Sequence, residues 1–149
     1  MVHVDTVTDD QTLAQSLAVR RKVFVEEQGV STEIEYDGLD AIAKHVVAWL
    51  DDQVVGTARL VAEGQVGRVG RMAVLPEFRG QGVGGKLLSA VVAIARGEGL
   101  VGVYVHAQVH AADFYQRFGF VAEGEEFMEA GIPHIRMITS FSSLGEASS

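Results

Sequence analysis

The chain has 149 residues, of which 48% are apolar, enough to bury one core in a single domain. Its 12 basic residues are scattered among 20 acidic ones, giving a net charge of −8 and no basic face for phosphate backbones, so nucleic acid is excluded as a partner. Cysteine is absent, which removes disulfides, thiolate metal ligands and a Cys nucleophile.

No apolar run approaches the roughly 20 residues of a membrane span, so no membrane partner is expected. The N-terminus shows no basic region leading into an apolar run, and a cytoplasmic location follows as the default. Val2 to Val7 alternates apolar and polar residues and predicts a first strand. Thr8 stands three residues before Gln11, a capping-box spacing, and predicts a helix from near Asp9 that carries Leu13, Leu17, Arg20 and Phe24 on one face. Gly29 is its stop, and an acidic loop spans Ser31 to Asp40.

Lys44 to Leu50 and Gln53 to Ala62 are apolar runs joined by Asp51-Asp52, a hairpin signal, with a third strand over Gln65 to Leu75. Gly82 to Arg96 is the clearest helix, with Val83, Leu87, Leu88, Val91, Ile94 and Ala95 at helical spacing. Val101 to Val105 predicts a covered strand, Ala111 to Phe118 a short helix, and two more strands follow Phe120, the last over Ile132 to Ile138. The order β-α-β-β-β-α-β-α-β-β implies an α/β domain with a mixed, mostly antiparallel sheet and helices on both faces. Residues 1–141 form the expected domain, and the polar tail 142–149 is expected to be disordered.

The segment Arg71 to Leu88 runs strand, Pro-marked loop, glycine-rich turn, helix start. Glycines at 80, 82, 84 and 85 let backbone approach a ligand, the helix N-terminus supplies free N–H groups, and Arg79 adds a charge that grips phosphate. A phosphorylated ligand is predicted. The Walker pattern is not met, because Leu87 stands where a hydroxyl is needed. Gly80, Gly82 and Gly85 satisfy a bare dinucleotide spacing, but Val105 and His106 stand where its acidic ribose partner belongs.

Arg79-Gly80-Gln81-Gly82-Val83-Gly84, preceded by Met72-Ala73-Val74-Leu75-Pro76, resembles the acetyl-CoA motif of the GNAT family of N-acetyltransferases. Gln108-x-x-Ala111-x-x-Phe114-Tyr115-x-x-x-Gly119-Phe120 is similar to that family's later motif, with Gln108 in place of Asn. Arg21-x-Val23-Phe24-Val25-x-Glu27-Gln28, Glu35-x-Asp37-Gly38-x-Asp40, His45 and Gly131-Ile132-Pro133-His134 look like the ElaA-like branch. The resemblance covers nearly the whole chain. It implies the acyl-CoA N-acyltransferase fold, splayed at the fourth strand, and an acetyl-CoA-dependent N-acetyltransferase that needs no metal.

By that resemblance, acetyl-CoA is held by Met72, Ala73, Val74, Arg79, Gly80, Gln81, Gly82, Val83, Gly84, Gly85, Gln108, Phe114 and Tyr115. Arg21, Phe24 and Glu27 shape the acceptor pocket, and Arg21 pairing with the acidic loop is an equal alternative. Tyr115 matches the family's thiolate-facing tyrosine, against a reading as a core aromatic beside Phe114 and Phe118. The general base stays open among Glu26, Glu27, Glu123, His134 and a water; His45, His106 and His110 read as structural. The acceptor is an amine on a small molecule or peptide, and the family's habit allows a homodimer. A silent domain that only senses acyl-CoA is the competing reading, and a nucleotide phosphotransferase is a third.

Overall fold

The structure, a computed structural model, describes residues 2–141; the tail expected over 142–149 lies outside the described residues. Its strands are β1 (Val2–Thr6), β2 (Lys44–Leu50), β3 (Gln53–Glu63), β4 (Val66–Val74), β5 (Gly102–Gln108), β6 (Val121–Glu129) and β7 (Ile132–Ser140). The helices are α1 (Asp10–Arg20), α2 (Thr32–Glu35), α3 (Val83–Gly97) and α4 (Ala112–Arg117). The strands form one sheet in the order β1-β2-β3-β4-β5-β7-β6. Only β4 and β5 run parallel, joined by a crossover through α3.

The predicted element order holds, with local differences. Asp9, not Thr8, caps α1, its carboxylate accepting from the Thr12 N–H at 2.7 Å. The helix continues as expected toward Gly29, but as a π-helical segment over Arg21–Glu27. The acidic loop contains α2, capped by the Ser31 hydroxyl. The strands β5 and β7 outrun the apolar segments that predict them, because each continues on pairing with the other, β5 to Gln108 opposite His134 and β7 to Ser140 opposite Gly102.

Two cores flank the sheet. On one face α3 buries Val83, Leu87, Leu88, Val91 and Ala95 against Val46, Val55, Leu60, Val69, Val105 and Met137. Each such Val, Leu or Met side chain, fully buried, stabilises by about 1.5–3 kcal/mol. On the other face Val19 and Val23 pack against Val47, Val54, Ala73 and Leu75. This helical layer packs mainly on β3 and β4 and reaches β5 at Gln108, whose amide donates to Gln28 Oε1 at 2.9 Å; the same face continues over β5, β7 and β6. Cross-strand pairing puts polar residues there: Arg68 beside Tyr104, His106 beside Arg136, and Gln108 beside His134.

Candidate active site

The site begins where the sheet opens. Parallel pairing of β4 with β5 runs from Val66–Gly102 to Val69–Val105 and stops. Beyond it β4 follows β3 to Val74 while β5 follows β7 to Gln108. The cause is a bulge: Arg59 faces Gly70 but Thr57 faces Ala73, so β4 carries an extra residue at Arg71–Met72. Arg71 takes a left-handed φ of 51°, a conformation costing an L residue roughly 1–2 kcal/mol. Its guanidinium is fastened to the acidic loop, with Nε 3.0 Å from Glu35 Oε1 and Nη2 donating to the Ile34 carbonyl and to Asp37 Oδ2, each at 3.1 Å.

That loop is itself an ion network. The fully buried Arg20 donates to both oxygens of the equally buried Glu35 and to Asp40 Oδ1 at 2.7 Å. Arg59 donates to both oxygens of Asp37 and to Asp40. Burial alone would raise the Asp37 carboxyl; the Arg59 and Leu39 hydrogen bonds and the Arg59 and Arg71 charges outweigh it and hold it well below the usual range. Asp40 is likewise lowered, its burial outweighed by Arg20 and Arg59. Arg20, rather than Arg21, holds the acidic loop. Arg21 is exposed, 3.8 Å from Glu26, and does not line the cleft.

The splay encloses a cavity of about 520 Å³, lined by Phe24, Glu27, Met72, Ala73, Val74, Arg79, Gln108, Phe114, Tyr115 and His134 among others. Antiparallel pairing fixes which backbone groups face it. The Leu75 N–H donates to the Val55 carbonyl, so the Val55–Leu75 and Thr57–Ala73 pairs carry the ladder bonds. Val74, between them, turns its N–H and carbonyl away from β3 and toward the cleft. The Val74 carbonyl accepts from Arg79 Nε at 2.9 Å.

The cleft continues into a second cavity of about 450 Å³ at the start of α3, bordered by Gly80, Gly82, Val83, Gly84 and Gly85. Gly80 and Gly82 have φ of 79° and 81°, and Gly82 caps α3 with no side chain. The first N–H groups of α3 are therefore left for an anion. Gly84 and Gly85 serve packing: a Cβ at Gly85 would sit 2.8 Å from Phe118 Cζ, and one at Gly84 3.4 Å from Phe114 Cζ. Gln81 borders neither cavity, and its amide lies 3.5 Å from the Glu77 carbonyl.

Arg79 differs from expectation in its partner. It forms a two-pronged pair with Glu27, at 2.8 and 2.7 Å. The Arg79 hydrogen bond holds the Glu27 carboxyl below its ordinary value, and the same bond raises Arg79. The backbone cradle, not the Arg79 guanidinium, is thus the open anion site.

The half-buried Tyr115 hydroxyl has no hydrogen-bond partner among the described residues, and burial pushes it up to about 12. His134, 6% exposed, donates from Nδ1 to the Ile132 carbonyl at 2.7 Å, since that oxygen only accepts. In the neutral ring Nε2 then keeps its lone pair, 3.8 Å from Glu129 Oε2. Glu123 is paired with Arg136 outside the cavity, and Glu26 is exposed. His45 is buried on the Asp40 carbonyl and His110 donates to Gln108.

Two lining residues, Arg68 and Glu129, escape sequence reasoning, and His106, which reads as structural, lies between them on the cavity wall. Glu129 stands before the Ala130-Gly131 turn, His106 Nδ1 lies 2.9 Å from Glu129 Oε1, and Arg68 Nη2 lies 3.1 Å from the same nitrogen. Their shared face follows from the pairing of β4, β5, β7 and β6, which no local pattern reveals.

A sheet split at its fourth strand, with a backbone anion cradle at the end of the split, defines the acyl-CoA N-acyltransferase class. The chain matches the Acetyltransferase (GNAT) domain over residues 5–141 and belongs to that family. Relatives agree. The uncharacterized N-acetyltransferase YjcF of Bacillus subtilis is 35% identical over 131 residues, covering 87% of this chain and 94% of that one. Escherichia coli ElaA superposes with a TM-score of 0.82 at 31% identity, over 93% of this chain and 99% of its own. A GNAT acetyltransferase of Brucella melitensis, solved in complex with acetyl-CoA, superposes with a TM-score of 0.74 at 25% identity, over 95% and 89%. The protein is therefore an acetyltransferase with the ElaA-like fold. No helix among the described residues is long and apolar enough to cross a membrane.

Proposed function

We propose that the protein transfers the acetyl group of acetyl-CoA to an amine on a small molecule or peptide, by direct attack in a ternary complex. The observation that carries this reading is the convergence of three groups on one cavity: the Val74 N–H, the Tyr115 hydroxyl and His134 Nε2. In it, the pyrophosphate sits on the N–H groups at the start of α3, and the pantetheine arm extends along β4 like an added strand.

The Val74 N–H donates to the thioester oxygen and stabilises the charge that grows there as the amine nitrogen bonds to the carbonyl carbon. His134 Nε2 takes the ammonium proton before attack, and its imidazolium is steadied by Glu129. When the carbon–sulfur bond breaks, Tyr115 gives its proton to the sulfur, and the second proton of the attacking nitrogen passes to the Tyr115 oxygen, leaving a neutral amide, the free thiol and a protonated tyrosine. Burial pushes the hydroxyl up to about 12, so it is protonated at neutral pH. Glu27 is assigned to Arg79 and not to the base, because a carboxylate held ionised by a guanidinium has little affinity for a proton.

Thiol release with an amine panel tests this. Tyr115→Phe and His134→Gln are expected to lower kcat by roughly 10²–10⁴ while acetyl-CoA affinity changes little. Tight acetyl-CoA binding with no turnover across the panel would instead support the sensing reading.

A further inference from the structure

A smaller cavity of about 150 Å³ opens off the cleft beyond His134. It shares Arg68, Glu129 and His134 with the large cavity and is closed on its other side by Ile34, Glu35 and Asp37. Its charges divide into committed and uncommitted groups. Glu35 and Asp37 are bonded to Arg20, Arg59 and Arg71, so they give the cavity no preference for a cation.

Arg68 and Glu129 differ. Among the described residues the carboxylate oxygen nearest to Arg68 is Glu129 Oε1 at 3.9 Å, too long for a hydrogen bond. Arg68 Nη2 meets only an imidazole nitrogen, His106 Nδ1. Glu129 in turn keeps Oε2 uncommitted, 3.8 Å from His134 Nε2. One guanidinium fork and one carboxylate oxygen thus look into the same small space, beside the proposed base.

We infer that this cavity binds the acceptor, and that the acceptor is a short amino acid: its ammonium on Glu129 and His134, its carboxylate on Arg68. This rests on the acetyl-transfer reading above. A guanidinium with its fork open matches a carboxylate's two oxygens. A plain polyamine would leave Arg68 facing a second cation. The volume matches roughly that of a benzene ring, or about six heavy atoms, so only one to three carbons separate the two charged ends.

The test pairs glycine, β-alanine and γ-aminobutyrate with their primary amides, which keep the amine and lose the charge. Thiol release should give at least one acid a kcat/KM roughly 10- to 100-fold above its amide, the loss expected for a charge-assisted hydrogen-bond pair. Arg68→Gln should bring that ratio close to one, and Arg68→Lys should leave it between. Titration calorimetry of the CoA-saturated protein with the same acids reads the subsite without turnover. Acids that bind there and release no thiol would refute acetyl transfer and support the subsite. Amides acetylated as well as acids would support transfer and overturn the subsite. Equal loss on acid and amide in Arg68→Gln would also overturn it, marking Arg68 as structural. Should that variant not fold, the wild-type ratio of acid to amide decides.

Discussion

Replacing Arg20 with Met removes a guanidinium that is fully buried and donates four hydrogen bonds, three to carboxylate oxygens of Glu35 and Asp40 and one to the Glu35 carbonyl. Asp40 would keep its Arg59 bond at 3.1 Å. Glu35, 1% exposed, would retain one charged partner, Arg71 Nε at 3.0 Å, and could not reach water. Breaking a buried pair this way costs about 3–5 kcal/mol, most of it the charge left behind. For a chain of this size that corresponds to a Tm lowered by roughly 6–20 °C. Urea unfolding followed by circular dichroism measures it. A companion cycle separates the pair from its parts: Arg20→Met with Glu35→Met removes both charges, so the double variant should be markedly more stable than the summed single losses predict. A loss below about 1 kcal/mol for Arg20→Met, or no coupling in the cycle, would show that the network does not hold the acidic loop and the bulge at Arg71.

Three further outcomes follow from the same structure. Asp37 and Asp40 bind protons more weakly folded than unfolded, so their contribution is complete above the ordinary carboxylate pKa and is lost as pH falls from there through the lowered folded values; unfolding free energy should begin to decline below about pH 5 and keep falling below about pH 3, and a flat profile would contradict the network. Gly82→Ala forces an L residue to a φ of 81°, with no clash around it; stability should fall by about 1 kcal/mol and acetyl-CoA binding weaken, whereas Gly97→Ala, at an unstrained helical site, should stabilise by roughly 0.5–1 kcal/mol. Because burial pushes Tyr115 up to about 12, the rate should show no descending alkaline limb from it until the pH approaches that value, and a limb near pH 8–9 would assign the acid elsewhere.

The anion cradle was legible at once, because glycines, a Pro-marked loop and a helix start are neighbours in the chain. Their separate duties were not: Gly80 and Gly82 turn the backbone, whereas Gly84 and Gly85 make room for Phe114 and Phe118, which come from 30 residues further on. Arg79 read as a phosphate ligand, and its pairing with Glu27 depends on a π-helical segment far from it in sequence. For the acidic loop, Arg21 read as one candidate partner. Folding neutralises the loop, since Arg20, Arg59 and Arg71 arrive from one helix and two strands.

Periodicity, turn chemistry and the glycine segment by themselves determined the element order, the mixed sheet and a glycine-marked helix start with free N–H groups, since each rests on contacts between near neighbours. Tertiary structure alone decided the chemistry beside that cradle. The bulge that frees the Val74 N–H needs β3 as its reference, and the alignment of Arg68, His106, Glu129 and His134 needs β4, β5, β7 and β6 in register. A one-residue slip in any of those pairings would turn such a side chain to the opposite face, which is why no stretch of sequence could declare the proposed acceptor site.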